Sequence, residues 1–300
     1  MQKFNKGFIL PISTTYNEAT ELTDEFSNGN NIESSIENNQ KNNDEMFINA
    51  SHELNTPLNI IYGAAQLIEL YMSNENSKNV DKINSSIDSI KQNSLRIMKV
   101  VKNILDLQKN EIGLFRLDYN YINIVEVVEE VVQCVSEKLR DKQLQFIFDT
   151  NSEEKFLMAD TENIERVLLN ILSNAVKYSN PGGKILVNVS VRDYFVEIAV
   201  MDNGVGIEKK YLDNIFNSFV KADKLLSRRA EGLGLGLKIS KAIMEAHGGS
   251  IEVLSKPNKG STFIIKLPCK KRDTIYTLYP KKVINYDGLK DMINIEFSDM

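Results

Sequence analysis

Ser51-His52-Glu53-Leu54-Asn55-Thr56-Pro57-Leu58 sits inside a stretch with helical periodicity. Apolar residues recur at Phe47, Ala50, Leu54, Leu58, Ile61, Ala65, Ile68 and Met72, three or four apart. That spacing predicts one packing face on a helix from about Asp44 to Met72. At about 100° per residue, His52 points roughly 165° away from the middle of that face. The packing pattern therefore turns the imidazole outward. An imidazole is substantially neutral near pH 7, which leaves one ring nitrogen with a free lone pair. Glu53, next to it on the outer arc, can accept or orient the other ring proton. Thr56 lies one turn on, and Pro57 predicts a bend. Taken alone, His52 reads as an ordinary surface histidine, and the rest of the chain reverses that reading.

A second amphipathic run, from about Asn79 to Lys109, carries Val80, Ile83, Ile87, Ile90, Ile97, Val101 and Ile104 on one face. Ser73-Asn74-Glu75-Asn76-Ser77 is a polar break between the two. Two long helices on a short polar turn make an antiparallel hairpin. One hairpin cannot bury both apolar stripes. Pairing two of them into a dimeric four-helix bundle does, as would packing on a second domain.

Composition sets the limits. Three hundred residues suggest about two domains. With 42% hydrophobic residues a core can form, while 26% charged residues and a net charge of -5 argue against a nucleic-acid surface or polybasic anchor. Two distant cysteines, Cys134 and Cys269, give no disulfide framework, and two histidines exclude a histidine-rich metal site. No run approaches the ~20 apolar residues of a membrane helix. The expected location is cytoplasmic, or the cytoplasmic part of a longer membrane-anchored protein. Residues 1–44, rich in Asn, Glu and Ser, read as a flexible leader, and 45–114 as the hairpin.

From 115 to 269 the pattern changes. Strands are expected at Leu117–Ile124, Leu144–Phe148, Lys155–Met158, Lys184–Val191, Tyr194–Met201, Ser250–Ser255 and Ser261–Leu267. Helices are expected at Val125–Leu139, Thr161–Lys177 and after Gly236 to His247, stopped by Gly248. The fold class is therefore α+β: a helical hairpin followed by an α/β sandwich, with three helices covering one face of a mixed sheet.

Three stretches of that second domain carry chemistry. On the helix at Thr161–Lys177, Arg166, Asn170, Asn174 and Lys177 form a polar stripe opposite a core face. A carboxamide oxygen suits Mg2+ and a lysine suits phosphate, although such a stripe also describes a solvated face. Asp202-Asn203-Gly204-Val205-Gly206 follows a strand, where an Asp can accept from an adenine amino group. Gly232-Leu233-Gly234-Leu235-Gly236 runs into a helix N-terminus, an arrangement that cradles phosphate. It lacks the Gly-Lys-Ser/Thr of a Walker loop and the early βαβ unit of a Rossmann fingerprint. Lys209–Glu231 between the glycine clusters, with Phe216, Phe219, Lys221, Arg228 and Arg229, reads as a lid.

Together these pieces resemble a two-component sensor histidine kinase. Ser51–Leu58 is similar to its H box, Asn170–Tyr178 to the N box, Asp202–Ile207 to G1, Ile215–Phe219 to the F box and Gly232–Leu237 to G2. Gly260-Ser261-Thr262-Phe263 is similar to the last glycine motif. The match runs from about Met46 to Leu267, in family order and spacing. The resemblance implies a dimerisation and phosphotransfer hairpin, then a catalytic ATP-binding domain of the Bergerat type shared with gyrase. It implies that His52 takes the γ-phosphoryl group of ATP with Glu53 as base. Asn170 would hold Mg2+, with Asn174, Lys177 and Tyr178 on the phosphates or ribose. Asp202, Gly204 and Gly206 would hold adenine, and Lys221, Gly232, Gly234 and Gly236 would serve lid and phosphates. The implied partners are a second copy through residues 45–114 and the receiver domain of a response regulator. Thr56 matches the position that orients a water for dephosphorylating that regulator.

The sequence departs from the family pattern at several places. Asn55 and Lys221 stand where the family usually has arginine, and Leu233 where it has threonine. Arg166 sits where the ATPase relatives carry a water-activating glutamate, which favours storing the phosphoryl group over hydrolysis. The competing readings are an idle scaffold, disfavoured by the joint presence of His52, Asn170, Asp202 and the three G2 glycines, and a plain ATPase, disfavoured by Arg166 and by the hairpin carrying His52. His247, in a His-Gly-Gly helix end, reads as a capping or packing residue. The tail 270–300 lies beyond the family domain. Its strand-like pieces, Thr274–Tyr279 and Met292–Phe297, could pair together, extend the sheet or bind a partner.

Overall fold

A computed structural model describes residues 47–73, 79–111, 116–217, 233–269 and 285–300. The expected leader, Lys221, Gly232, Phe219, Arg228, Arg229 and the strand-like Thr274–Tyr279 lie outside the described residues. The chain divides into two compact units, Met1–Ser51 and His52–Met300. In the first, residues 47–51 are helical, with Ser51 Oγ donating to Phe47 O at 2.7 Å.

The second unit opens with α1, residues 52–73, and continues with α2, Val80–Glu111. The facing ends of the two helices are tied by Asn79 Nδ2 donating to Tyr71 O at 3.1 Å and by Lys82 Nζ lying 5.3 Å from the centre of the Tyr71 ring. Two antiparallel helices are thus joined at the expected place. Many of their apolar side chains face water in the single chain, among them Leu58, Leu67, Leu70, Met98, Val101 and Leu105. An apolar surface of that extent marks an interaction face.

Strand β1 (Asn120–Asn123) is shorter than the expected Leu117–Ile124. It pairs antiparallel with β3 (Phe156–Ala159) in a separate two-stranded ribbon, because α3 (Ile124–Lys138) begins at the very next residue. The main sheet has the order β2-β4-β5-β7-β6, built from Gln145–Thr150, Lys184–Val191, Phe195–Asp202, Gly260–Pro268 and Ser250–Lys256. Only β2 and β4 run parallel, so the sheet is mixed. Its strands alternate: Ile185, Val187 and Val189 on β4, Val196, Ile198 and Val200 on β5, and Phe263, Ile265 and Leu267 on β7 are buried. That period-2 pattern gives one covered face. α3, α4 (Thr161–Tyr178) and α6 (Gly236–Ala246) lie against it, with a one-turn α5 (Lys209–Leu212) beyond β5.

The tail departs from its sequence reading. Met292–Phe297 is not a strand: it belongs to α7, Tyr286–Glu296, and to the turn that follows. Asn285 caps the helix by accepting from Gly288 N at 3.1 Å. Leu289, Ile293 and Phe297, at i, i+4 and i+8, are its buried face. The alternation Met292-Ile293-Asn294-Ile295 imitates a strand over six residues, whereas the packing follows the helical period. α7 rests on α2, α3 and α4.

Candidate functional site

The site is built on α4. Asp160 at its N-terminus accepts from Asn163 N at 3.1 Å and Asn163 Nδ2 at 2.8 Å, and also from Asp118 N at 2.8 Å. Its own N–H donates to His247 Nε2 at 3.0 Å, while His247 Nδ1 faces Ile243 O at 2.8 Å. The imidazole is therefore a neutral Nδ1–H tautomer, and burial lowers its pKa. His247 is a packing residue at the end of α6, as its sequence context suggests.

With Ile164, Val167, Leu168, Ile171, Leu172 and Ala175 buried, α4 leaves Arg166, Asn170, Asn174, Lys177 and Tyr178 half-buried along one line. All five line a single cavity of about 210 Å³, together with Asp202, Gly206, Gly234 and Gly236. The sequence stripe is thus a cavity wall and not a solvated face. Asn170 Nδ2 donates to Ser240 Oγ on α6 at 2.9 Å, and Ser240 is itself buried. A Cβ on Gly236 would stand 2.2 Å from Asn170 Oδ1. Glycine at the start of α6 is what lets that oxygen sit there. Ser240, a small polar residue on an otherwise apolar helix face, carries no signal in the sequence.

Asp202 ends β5 and is 7% exposed. Burial pushes its pKa up, and hydrogen bonds from the backbone of Gly204 and Ser261 pull it down. The Gly204 bond is 2.8 Å. The loop after it is locked by Val205 N donating to Tyr178 O at 3.2 Å and Asn258 N to Val205 O at 2.7 Å. Gly206 has φ +68°, and a Cβ there would meet Lys256 O at 2.0 Å, so only glycine fits. Burial also raises the Tyr178 phenol, and Lys177 Nζ lies 5.9 Å from its ring centre.

Among the described residues no group of three or more His, Cys, Asp or Glu could hold a metal ion, and Asn170 Oδ1 is an oxygen of the kind a hard cation takes. An ion held there would complete its shell with phosphate oxygens and water, as Mg2+ does.

His52, Glu53 and Thr56 are not among the described residues that line this cavity. His52 is exposed, Glu53 is half-buried, and Thr56 Oγ1 donates back to His52 O at 3.2 Å. Among the described residues the hairpin contributes α2 side chains to the cavity, Lys99 and Asn103, and not His52. Arg166 binds α2 as well, through Asn103 Oδ1 at 3.2 Å and Asp106 Oδ2 at 2.5 Å. Cys134 and Cys269 are both free thiols. No helix among the described residues is long and apolar enough to cross a membrane.

Comparison with known proteins agrees with this arrangement. Residues 42–113 match the His Kinase A (phospho-acceptor) domain, and residues 159–271 match the histidine kinase-, DNA gyrase B-, and HSP90-like ATPase domain. The signal transduction histidine-protein kinase ArlS of Staphylococcus aureus is 31% identical over 256 residues, covering 85% of this chain and 55% of that protein. The autoinducer 2 sensor kinase/phosphatase LuxQ of Vibrio vulnificus is 32% identical over 265 residues, 85% of this chain and 30% of its own length. The chain spans about half, or less, of the curated relatives it matches. Among solved structures, the histidine kinase ThkA in complex with response regulator protein TrrA has a TM-score of 0.55 at 26% identity, over 75% of this chain and 61% of that one. Acinetobacter baumannii histidine kinase AdeS has a TM-score of 0.53 at 25% identity, over 73% and 98%. Two family domains in the expected order, on a hairpin and a mixed-sheet ATPase domain, make this chain a member of the two-component sensor histidine kinases, which are ATP-dependent phosphotransferases.

Proposed function

We propose that the chain is a protein histidine kinase that phosphorylates His52 from ATP and hands the phosphoryl group to an aspartate of a response regulator. The observation that carries this reading is the single cavity in which the α4 stripe, Asp202 and the glycine turns meet. Adenine enters at Asp202, whose carboxylate accepts from the exocyclic amino group. Tyr178 and the turn through Gly204 and Gly206 shape that end. Asn174 and Lys177 meet the ribose and phosphates, and Gly234 and Gly236 let the backbone of α6 approach them. Asn170 holds Mg2+ through Oδ1, with Ser240 turning the amide nitrogen away. The ion would neutralise charge on the phosphates. Lys221 and Gly232, given to the site by the family resemblance, lie outside the described residues.

Transfer forms a nitrogen–phosphorus bond at the neutral imidazole and breaks the bond between the γ-phosphorus and the β–γ bridging oxygen, so that ADP leaves. Glu53 takes the ring proton. The imidazole is exposed, which suits an acceptor that must meet first a nucleotide and then a regulator. The exposed apolar face of α1 and α2 supports pairing with a second copy through residues 45–114.

Incubation with γ-labelled ATP and Mg2+ tests the assignment. The parent takes up label that survives base and is lost in acid, and His52→Gln takes up none. ATP turnover with no protein label would favour a plain ATPase. Thr56 is proposed to orient water for dephosphorylating the regulator, an activity that Thr56→Ala should lose while keeping autophosphorylation.

A further inference from the structure

The tail closes a contact that none of the motif residues requires. Three side chains of α2, at i, i+4 and i+7, hold the end of the chain. Gln92 Nε2 donates to Ser298 O at 3.0 Å, and Arg96 Nε donates to the same oxygen at 3.2 Å and lies 3.8 Å from Asp299 Oδ1. Lys99 Nζ donates to Glu296 O at 2.7 Å and pairs with Glu296 Oε1 at 3.3 Å and Asp299 Oδ2 at 3.1 Å. At the other end of α7, Tyr286 OH donates to Glu130 Oε1 at 2.5 Å, and in its last turn Asn294 Oδ1 accepts from Lys138 Nζ at 2.6 Å. Leu289, Ile293 and Phe297 are buried between these fastenings. α7 is therefore fixed to the hairpin at its C-terminal end and to α3 along its length.

The position of that contact gives it meaning. Lys99, Glu296 and Asp299 line the same cavity as Asn170 and Asp202. Along α4, Tyr178 marks the adenine end, since its carbonyl takes Val205 N from the Asp202 loop. Arg166 lies twelve residues away, about 18 Å along the axis. A nucleotide with its base at Asp202 and its phosphates at Asn170 points its terminal phosphate toward the Arg166 end. There α2 and the tail form the wall, with two carboxylates beside a lysine they already occupy. Two carboxylates oppose an incoming triphosphate. The same contact pins α2 against α7, which itself packs on α4, while His52 is not one of the described residues lining the cavity.

We propose that α7 is an autoinhibitory strap: with Glu296 and Asp299 on Lys99, it closes the terminal-phosphate end of the cavity and holds the hairpin against the ATP-binding domain, and ATP competes with it for Lys99. The proposal rests on the reading of the cavity as an ATP site. Coupling is reciprocal, so loosening the strap strengthens ATP binding and ATP loosens the strap.

The test uses the full chain. ATP and ADP affinities are measured by titration calorimetry for the parent, for Glu296→Gln/Asp299→Asn, and for Tyr286→Phe, which frees the far end of α7 without touching the cavity. Hydrogen exchange of α7 is followed with and without each nucleotide. The double variant should bind ATP on the order of 5–10-fold tighter, with ADP changed less than about twofold. Tyr286→Phe should shift ATP binding in the same direction by about twofold. ATP, and not ADP, should speed exchange in α7 of the parent. Equal ATP affinity in all three proteins, or α7 exchange indifferent to ATP, overturns the strap alone. No ATP binding by any of them overturns the nucleotide reading and the strap with it.

Discussion

Arg166 Nη1 lies 2.5 Å from Asp106 Oδ2, joining the helix of the nucleotide stripe to the second helix of the hairpin. The guanidinium's Nη2 donates to Asn103 Oδ1 on the same helix. Both charged side chains are mostly buried, at 16% and 11% exposure. Removing one partner of such a pair leaves the other buried and unpaired. Asp106→Ala should therefore lower stability by about 3 kcal/mol, read as a shifted urea midpoint. Asp106→Leu/Arg166→Met should recover most of that loss. A single variant that unfolds like the parent would show that the pair contributes nothing.

Gly236→Ala tests the fit between α6 and Asn170. The added methyl arrives 2.2 Å from Asn170 Oδ1, where neither the backbone of α6 nor the amide held by Ser240 has room. Overpacking of this kind costs about 1–3 kcal/mol. The amide must also turn, so the Mg2+ dependence of ATP affinity should weaken more than overall stability does. Calorimetric titration with and without the ion separates the two effects, and an unchanged Mg2+ dependence would remove Asn170 from the metal site.

Asp202→Asn changes one acceptor and leaves the bond to Gly204 N within reach of the remaining amide oxygen. ATP affinity should fall on the order of 10–100-fold, the size expected for losing a charge-assisted hydrogen bond. Circular dichroism should show an intact fold. Because burial raises the Asp202 pKa, nucleotide affinity in the parent should also decline toward acid pH, and the variant should lose that dependence.

Two buried groups give stability opposite pH dependences. Glu165, 5% exposed on α4, is pushed from 4.5 up to about 7, first by burial and then by the charges of Glu162, Glu130 and Asp160. The folded state holds a proton there that the unfolded chain releases between these values. Its contribution is full below pH 4.5 and is lost as pH rises through about 7. That loss amounts to up to about 3 kcal/mol, and Glu165→Gln should remove it. His247 acts the other way. Its lowered pKa means that its contribution is present above 6.5 and lost as pH falls through the folded value, because protonation of Nε2 removes the acceptor for Asp160 N. Thermal melts from pH 5 to 8 should show Glu165→Gln gaining stability relative to the parent as pH rises.

Much of this was legible in the sequence because the relevant signals are local. The 3.6-residue period of α4, the alternation of β4 and β5 and the glycines after Asp202 each act within a few residues. What escaped depends on distant partners. Arg166 reads in the sequence as a member of the polar stripe and as a missing glutamate, and its structural meaning comes from Asp106, sixty residues earlier. α7 was hidden because six residues of Met292–Phe297 satisfy both a strand and a helix period. The cap at Asn285 and the i, i+4, i+8 spacing of Leu289, Ile293 and Phe297 carried the deciding signal. Ser240 has no signature at all until Asn170 is placed beside it.

Asp160 holds three parts of the chain at once: Asp118 in the segment leaving the hairpin, the first turn of α4, and His247 at the end of α6. The segment between hairpin and sheet is thus tethered at the very start of the helix that carries Asn170. Asp160 is thereby a fulcrum that lies about ten residues, or three helical turns, from Asn170 on α4. Inserting flexible residues before Asp118 would shift the coupling between hairpin and sheet onto the contacts that α2 makes with Arg166 and with the tail.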